Sequence, residues 1–121
     1  MRPEARDAAY LWDMLEAASV VREFVSGVES ERQYVRDRKL QLAIERAVEI
    51  IGEAARQVSE PFRGAHPEIP WRAIIAQRNV LAHEYGDIKQ ELMWNVAKVR
   101  VPDLIAKLEA LLPNLPPKVG E

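Results

Sequence analysis

Leu40-Gln41-Leu42-Ala43-Ile44-Glu45-Arg46-Ala47-Val48-Glu49-Ile50-Ile51-Gly52-Glu53-Ala54-Ala55-Arg56-Gln57-Val58 is the stretch that decides the fold. Leu40, Ile44, Ala47, Val48, Ile51, Ala54, Ala55 and Val58 recur at helical spacing and share one face, while Glu45, Glu49, Glu53 and Arg56 occupy the other. A long amphipathic helix follows from that spacing. Gly52 interrupts it at a cost of about 1 kcal/mol relative to alanine, which predicts the close approach of another helix at that point.

The same period extends in both directions. A first helix is expected from about Pro3 to Val25, with Tyr10, Leu11, Met14, Leu15, Ala18, Val21 and Val25 on its apolar side and Ser26-Gly27 closing it. Ser30-Glu31-Arg32-Gln33 has the form of a capping box, so a short helical turn should carry Tyr34 and Val35 toward the core. Glu60 to Pro70, with three prolines and a glycine, reads as a loop. Pro70 should start the next helix, with Trp71 as its core anchor and Gly86 as its stop. Asp87 can cap a further helix with apolar positions Leu92, Met93, Val96 and Val99, which Pro102 kinks or restarts before Leu104, Ile105, Leu108, Leu111 and Leu112. No segment reads as a strand. The expectation is an all-α, compact antiparallel bundle of four to five helices, a single domain over residues 1–112 with a proline-rich tail over 113–121.

At 121 residues the chain suits one domain with a real core. It has no cysteine, which excludes a disulfide framework and thiolate metal sites and fits a cytoplasmic setting. Two histidines without a ligand spacing give no metal signature, so neither metal nor other cofactor is expected, and His66 reads as a loop residue. No apolar run approaches the roughly 20 residues needed to span a bilayer, and Met1 to Ser30 carries acidic residues where a signal peptide would be apolar. The net charge of -2 offers no global attraction to nucleic acid, so any RNA site must be a local basic cleft.

Chemistry concentrates in Arg78-Asn79-Val80-Leu81-Ala82-His83-Glu84-Tyr85. On a helix Arg78 and Tyr85 project in nearly the same direction, and Asn79 and His83 lie one turn apart on a neighbouring strip. Arginine grips phosphate as a planar fork, histidine moves protons near neutral pH, and the amide and phenol can hydrogen-bond the same ligand. Trp71, Ile74, Ile75, Leu81 and Ala82 lie on the side of Arg78, which puts the arginine within the apolar stripe, where it should meet a carboxylate, a subunit boundary or an anion. Each such residue alone reads more simply as structural: a snorkelling arginine, a hydrogen-bonded core histidine. The whole R-x4-H-x-Y spacing does not, because a chance match in so short a chain occurs in roughly one case in a few hundred. Arg36, Arg38 and Lys39 form a short basic cluster that either extends an RNA path or is an ordinary solvated helix start. Glu53 reads as an ion-pairing residue of the polar face, in preference to a partner for Arg78, and Trp12, Trp71 and Trp94 as core or interface anchors.

With its Ile69-Pro70-Trp71 lead-in and the Ile50-Ile51-Gly52-Glu53-Ala54 run, the R-x4-H-x-Y pattern resembles the HEPN superfamily, and within it the HepT-like toxin branch, over the whole length of the chain. The resemblance implies a helical bundle that forms a homodimer. Two copies of the motif would face each other across a cleft in which RNA is cut without a metal ion. Arg78 and His83 would be the catalytic pair, Asn79 and Tyr85 supporting residues. It further implies a cognate MntA-type nucleotidyltransferase antitoxin that silences the toxin by adenylylating Tyr85, placing AMP in the cleft. The chemistry is consistent with this on its own terms: attack by a ribose 2′-OH needs a proton acceptor, which His83 supplies, and a cation for the charge on phosphorus, which Arg78 supplies. The alternative is a non-catalytic HEPN module that binds or regulates a nucleotidyltransferase.

Overall fold

The computed structural model describes residues 3–83 and 88–115, and every regular element within them is helical. Three long helices, α1 (Pro3–Val25), α3 (Arg38–Gln57) and α5 (Trp71–His83), pack with a composite fourth made of α6 (Gln90–Asn95), a π-helical turn (Val96–Arg100) and α7 (Val101–Leu111). Two short helices, α2 (Glu31–Val35) and α4 (Glu60–Ala65), fill corners. The expected all-α antiparallel bundle is therefore what forms, and no described helix is long and apolar enough to cross a membrane.

The core is built from the stripes read in the sequence. Leu11, Met14, Ala18, Val21 and Val25 of α1 close against Ile44, Ala47, Val48, Ile51 and Ala55 of α3, with Leu104, Ile105 and Leu108 of α7 completing the interior. Burying each such side chain contributes roughly 1.5–3 kcal/mol. α1 and α3 run antiparallel, because Asp7 near the start of α1 meets Ser59 just beyond the end of α3. The buried Asp7 carboxylate accepts from the Ser59 backbone N–H at 2.8 Å and from its hydroxyl at 2.7 Å. A carboxylate taken out of water needs such donors, so this pair fixes the α3–α4 corner.

Three sequence expectations are corrected. Glu60 to Pro70 is not all loop: Ser59 caps α4, accepting from Phe62 N–H at 3.3 Å, and Pro61 stands in the first turn, where its missing N–H costs nothing. The capping box at Ser30 forms, with Gln33 N–H donating to Ser30 Oγ at 3.1 Å, yet of the pair that follows only Tyr34 is buried, and Val35 is 37% exposed. Leu92 and Val99 face outward at 61% and 58% exposure. As expected, the helix restarts at Pro102: the proline stands in the first turn of α7, which begins after a π-helical turn in which the Val101 N–H reaches back to Val96 C=O, just ahead of a residue that cannot donate. Asp87, the expected cap of α6, lies outside the described residues; Lys89 occupies the cap position, without a side-chain bond.

Tyr34 provides a test of the interior. Its ring is fully buried and lies against Trp94 with centroids 5.5 Å apart, and its hydroxyl has no hydrogen-bond partner among the described residues. Burial, and secondarily the Glu45 carboxylate, raises the phenol far above its ordinary range. A raised folded-state value means the neutral form is favoured by the fold, so this contribution is present below the unfolded phenol's value of about 10 and is lost as pH rises beyond it. Tyr34→Phe should match or exceed wild-type stability at neutral pH, within about 1 kcal/mol, and should lose less above about pH 10. Urea denaturation at both pH values checks this; a large loss at neutral pH would show that the hydroxyl is bonded after all.

Candidate active site

Helix α5 carries the motif, and its first turn is pinned from both sides. Trp71 is buried, its indole N–H donates to the His66 carbonyl at 2.9 Å, and Phe62 meets it edge-on at 6.4 Å. His66 thereby ends α4 as well as bonding Glu68 at 3.2 Å, where a backbone hydrogen bond and then the imidazole hold that exposed carboxyl below its usual value. Leu81 is the second buried anchor, near the other end of α5. Between the anchors α5 crosses α3 at Gly52. A Cβ added to Gly52 would run into Cβ of Arg78, and would also lie 2.9 Å from Arg78 Cγ and 3.1 Å from the Ile74 carbonyl oxygen. The close approach expected at Gly52 is thus real, and the group it admits is the stem of the motif arginine.

That crossing leaves Arg78 half-buried. Its Nε is shut off from solvent with no partner among the described residues, and Nη1 donates to Asn79 Oδ1 at 3.1 Å. No carboxylate among the described residues comes within ion-pair distance of it; Glu53 pairs with Arg46 at 3.5 Å instead, as the polar-face reading required. The arginine borders a groove of about 660 Å3 between α1 and α3, whose wall also carries Asp13, Glu16, Glu53 and Arg56. Asn79 opens instead to a wider groove of about 1100 Å3 on the α4 side. His83 is exposed and is the last described residue of α5, one turn beyond Asn79. A cation there also complements the negative end of the helix.

The structure therefore brings Arg78 and Asn79 into direct contact, with His83 on the adjacent turn. Tyr85, together with Glu84, Gly86 and Asp87, lies outside the described residues. Arg36, Arg38 and Lys39 are exposed where α2 ends and α3 begins, and share no bond with Arg78, Asn79 or His83 among the described residues. Arg38 reaches Gln41 at 3.4 Å and Glu45 at 4.0 Å, and Glu45 in turn accepts from Gln90 at 2.8 Å, so the cluster lies where the chain re-enters as α6. Sequence reasoning noted Gly52 but did not pair it with Arg78, since nothing in one helix's period identifies the residue that crosses it.

Residues 14–111 match the model of the family described as Ribonuclease HepT-like, and the chain belongs to that family. It is 36% identical over 101 residues to "Putative RNase MJ1380" of Methanocaldococcus jannaschii, covering 84% of this chain and 92% of that protein. It is 38% identical over 102 residues to "Probable ribonuclease HepT" of Thermococcus cleftensis, again 84% and 92%. "Putative RNase TTE0752" of Caldanaerobacter subterraneus is 32% identical over 103 residues, covering 85% of this chain and 91% of that one. No solved structure matches the chain.

Proposed function

We propose that this chain is a metal-independent endoribonuclease toxin that cuts RNA at a cleft formed by two copies of the R-x4-H-x-Y motif. The observation that carries the reading is the Arg78–Asn79 pair: a guanidinium whose buried Nε has no partner among the described residues, bonded to an asparagine one helical turn from an exposed imidazole, in a chain of the HepT-like ribonuclease family. A half-buried cation with no carboxylate partner among the described residues, beside a proton-transfer group, suits an anionic substrate. The ribose 2′-oxygen attacks phosphorus and passes its proton to a base, a role for His83. The P–O5′ bond breaks, and the leaving oxygen takes a proton from an acid, which the second His83 of a dimer can supply. Arg78 stabilises the charge on the phosphoryl oxygens and Asn79 holds the guanidinium in place. Arg36, Arg38 and Lys39 extend the basic surface toward longer RNA.

Dimerisation is supported by the apolar residues left uncovered beside α5. Val80 and Leu92 line a groove of about 500 Å3 together with Val96, at 36% and 61% exposure for the first two. We assign Tyr85 as the control point: a nucleotidyltransferase antitoxin would join its phenol oxygen to the α-phosphorus of a nucleoside triphosphate, releasing pyrophosphate. Each AMP adds about one negative charge beside the motif and competes with RNA phosphate. The acidic wall of Asp13, Glu16 and Glu53 next to Arg78 favours the rival, a non-catalytic module that regulates a nucleotidyltransferase.

Purified, unmodified protein should cleave RNA but not DNA in the presence of a chelator, leaving a 2′,3′-cyclic phosphate or its hydrolysis product, and should sediment as a dimer. After co-expression with a nucleotidyltransferase encoded beside it, intact mass should show AMP-sized increments that Tyr85→Phe abolishes. Strict dependence on added magnesium would sink the mechanism, and increments persisting in Tyr85→Phe would move the control point elsewhere.

A further inference from the structure

Asn79 is not alone on its face of α5. Arg72, Ala76, Asn79 and His83 fall within about 60° of one another around the helix, at roughly 100° per residue, and all are exposed. Arg72 and Asn79 line the same groove on the α4 side, whose far wall is Arg63 and Gly64. Ala76 between them keeps its floor low. Arg63 has a buried Nε without a partner, and neither Arg63 nor Arg72 is in an ion pair among the described residues. Against these two cations the groove wall sets one carboxylate, Glu60, whereas the groove on the other side of α5 sets Asp13, Glu16 and Glu53 against Arg56 and Arg78. A polyanion leaving the motif meets attraction on the α4 side and repulsion on the other.

We infer that the RNA strand continues from the scissile phosphate along the α4–α5 groove, with Arg72 and Arg63 binding phosphates beyond the cut. This rests on the nuclease reading for its direction, though the groove's affinity for single-stranded RNA can be measured without cleavage. Arg72 lies roughly 10 Å from Asn79 along the helix axis, the reach of a few nucleotides, so a dinucleotide bound at the motif would not touch it. The recognition is of phosphates and hence independent of sequence.

The test uses the full chain with a labelled single-stranded RNA of about 20 nucleotides, a length that exceeds one binding module. Arg63→Gln and Arg72→Gln each remove one cation. Gly64→Glu adds an anion to the groove wall at a position where an added Cβ meets nothing within 4 Å. Each variant should weaken binding by about threefold to tenfold in fluorescence anisotropy, and each arginine change should reduce the salt slope by about 0.7. In cleavage assays KM should rise for the long RNA with kcat unchanged, and neither should change for a dinucleotide. Unaltered affinity and salt slope in all three variants would overturn the inference, as would equal losses on the dinucleotide. A dimer that falls apart in the variants would also overturn it, by showing that the groove seats a second copy. If the wild type binds the long RNA through these residues but cuts no RNA, the nuclease reading fails and the groove assignment stands.

Discussion

His83→Ala and Arg78→Ala are each expected to lower the rate of RNA cleavage by at least about a hundredfold, the usual scale for losing a positioned base or charge stabiliser. The two losses have different origins. His83 is exposed at the end of α5 and makes no hydrogen bond among the described residues, so its removal should leave stability within about 0.5 kcal/mol of wild type. Arg78 is half-buried against Gly52, and its removal leaves Asn79 without its partner. Arg78→Lys separates charge from shape: it keeps the cation but loses the planar fork, and should remain far below wild type if bidentate phosphate binding is what matters. Single-turnover cleavage of a labelled RNA, with circular dichroism to show that the variants are folded, decides between these. Full activity in His83→Ala would take the histidine out of the mechanism. Wild-type rates in Arg78→Lys would reduce the arginine to a general positive charge.

The sequence discloses most where one helix's own period carries the information. The buried stripe of α3 and the anchoring of α5 by Trp71 were legible because apolar spacing reports directly on which face is inward. It discloses least where that period breaks or where the partner is remote. Leu92 and Val99 are apolar like Met93, but on a regular helix they lie roughly 100° and 120° around from it, so once Met93 and Ala97 face the core both are left outside. The π-helical turn at Val96–Arg100 interrupts the period after Leu92. Helix α4 was hidden by its proline and glycine content, although Ser59-Glu60-Pro61 has the cap, acidic first turn and early proline of a helix start. Asp7 reads as an ordinary polar residue of α1 until Ser59, distant in sequence, is seen to bond it. The candidate site divides in the same way: Arg78, Asn79 and His83 are a local pattern, while the groove through Arg72 and Arg63 depends on how α4 folds back against α5.

Gly52→Ala is expected to damage both stability and activity, although alanine is the better helix former by about 1 kcal/mol. The new methyl group would overlap Cβ of Arg78 and crowd the Ile74 carbonyl, and neither is the far end of a flexible side chain that can swing aside. Relief requires α3 and α5 to separate, and overpacking of this kind costs about 1–3 kcal/mol, so with the overlap this direct the propensity gain should be outweighed. The displacement also moves the stem of Arg78, and a shift of about 1 Å in a positioning group can lower a rate by about a hundredfold. Ile105→Val provides the comparison: it thins the core on α7, away from the motif, at about 0.5–1.5 kcal/mol, and should leave cleavage near wild type. Urea denaturation and single-turnover cleavage on both variants separate loss of fold from loss of geometry. If Gly52→Ala lost no more activity than Ile105→Val, the crossing at Gly52 would serve only packing. If it lost neither activity nor stability, the two helices would have to lie farther apart than Gly52 and Arg78 place them.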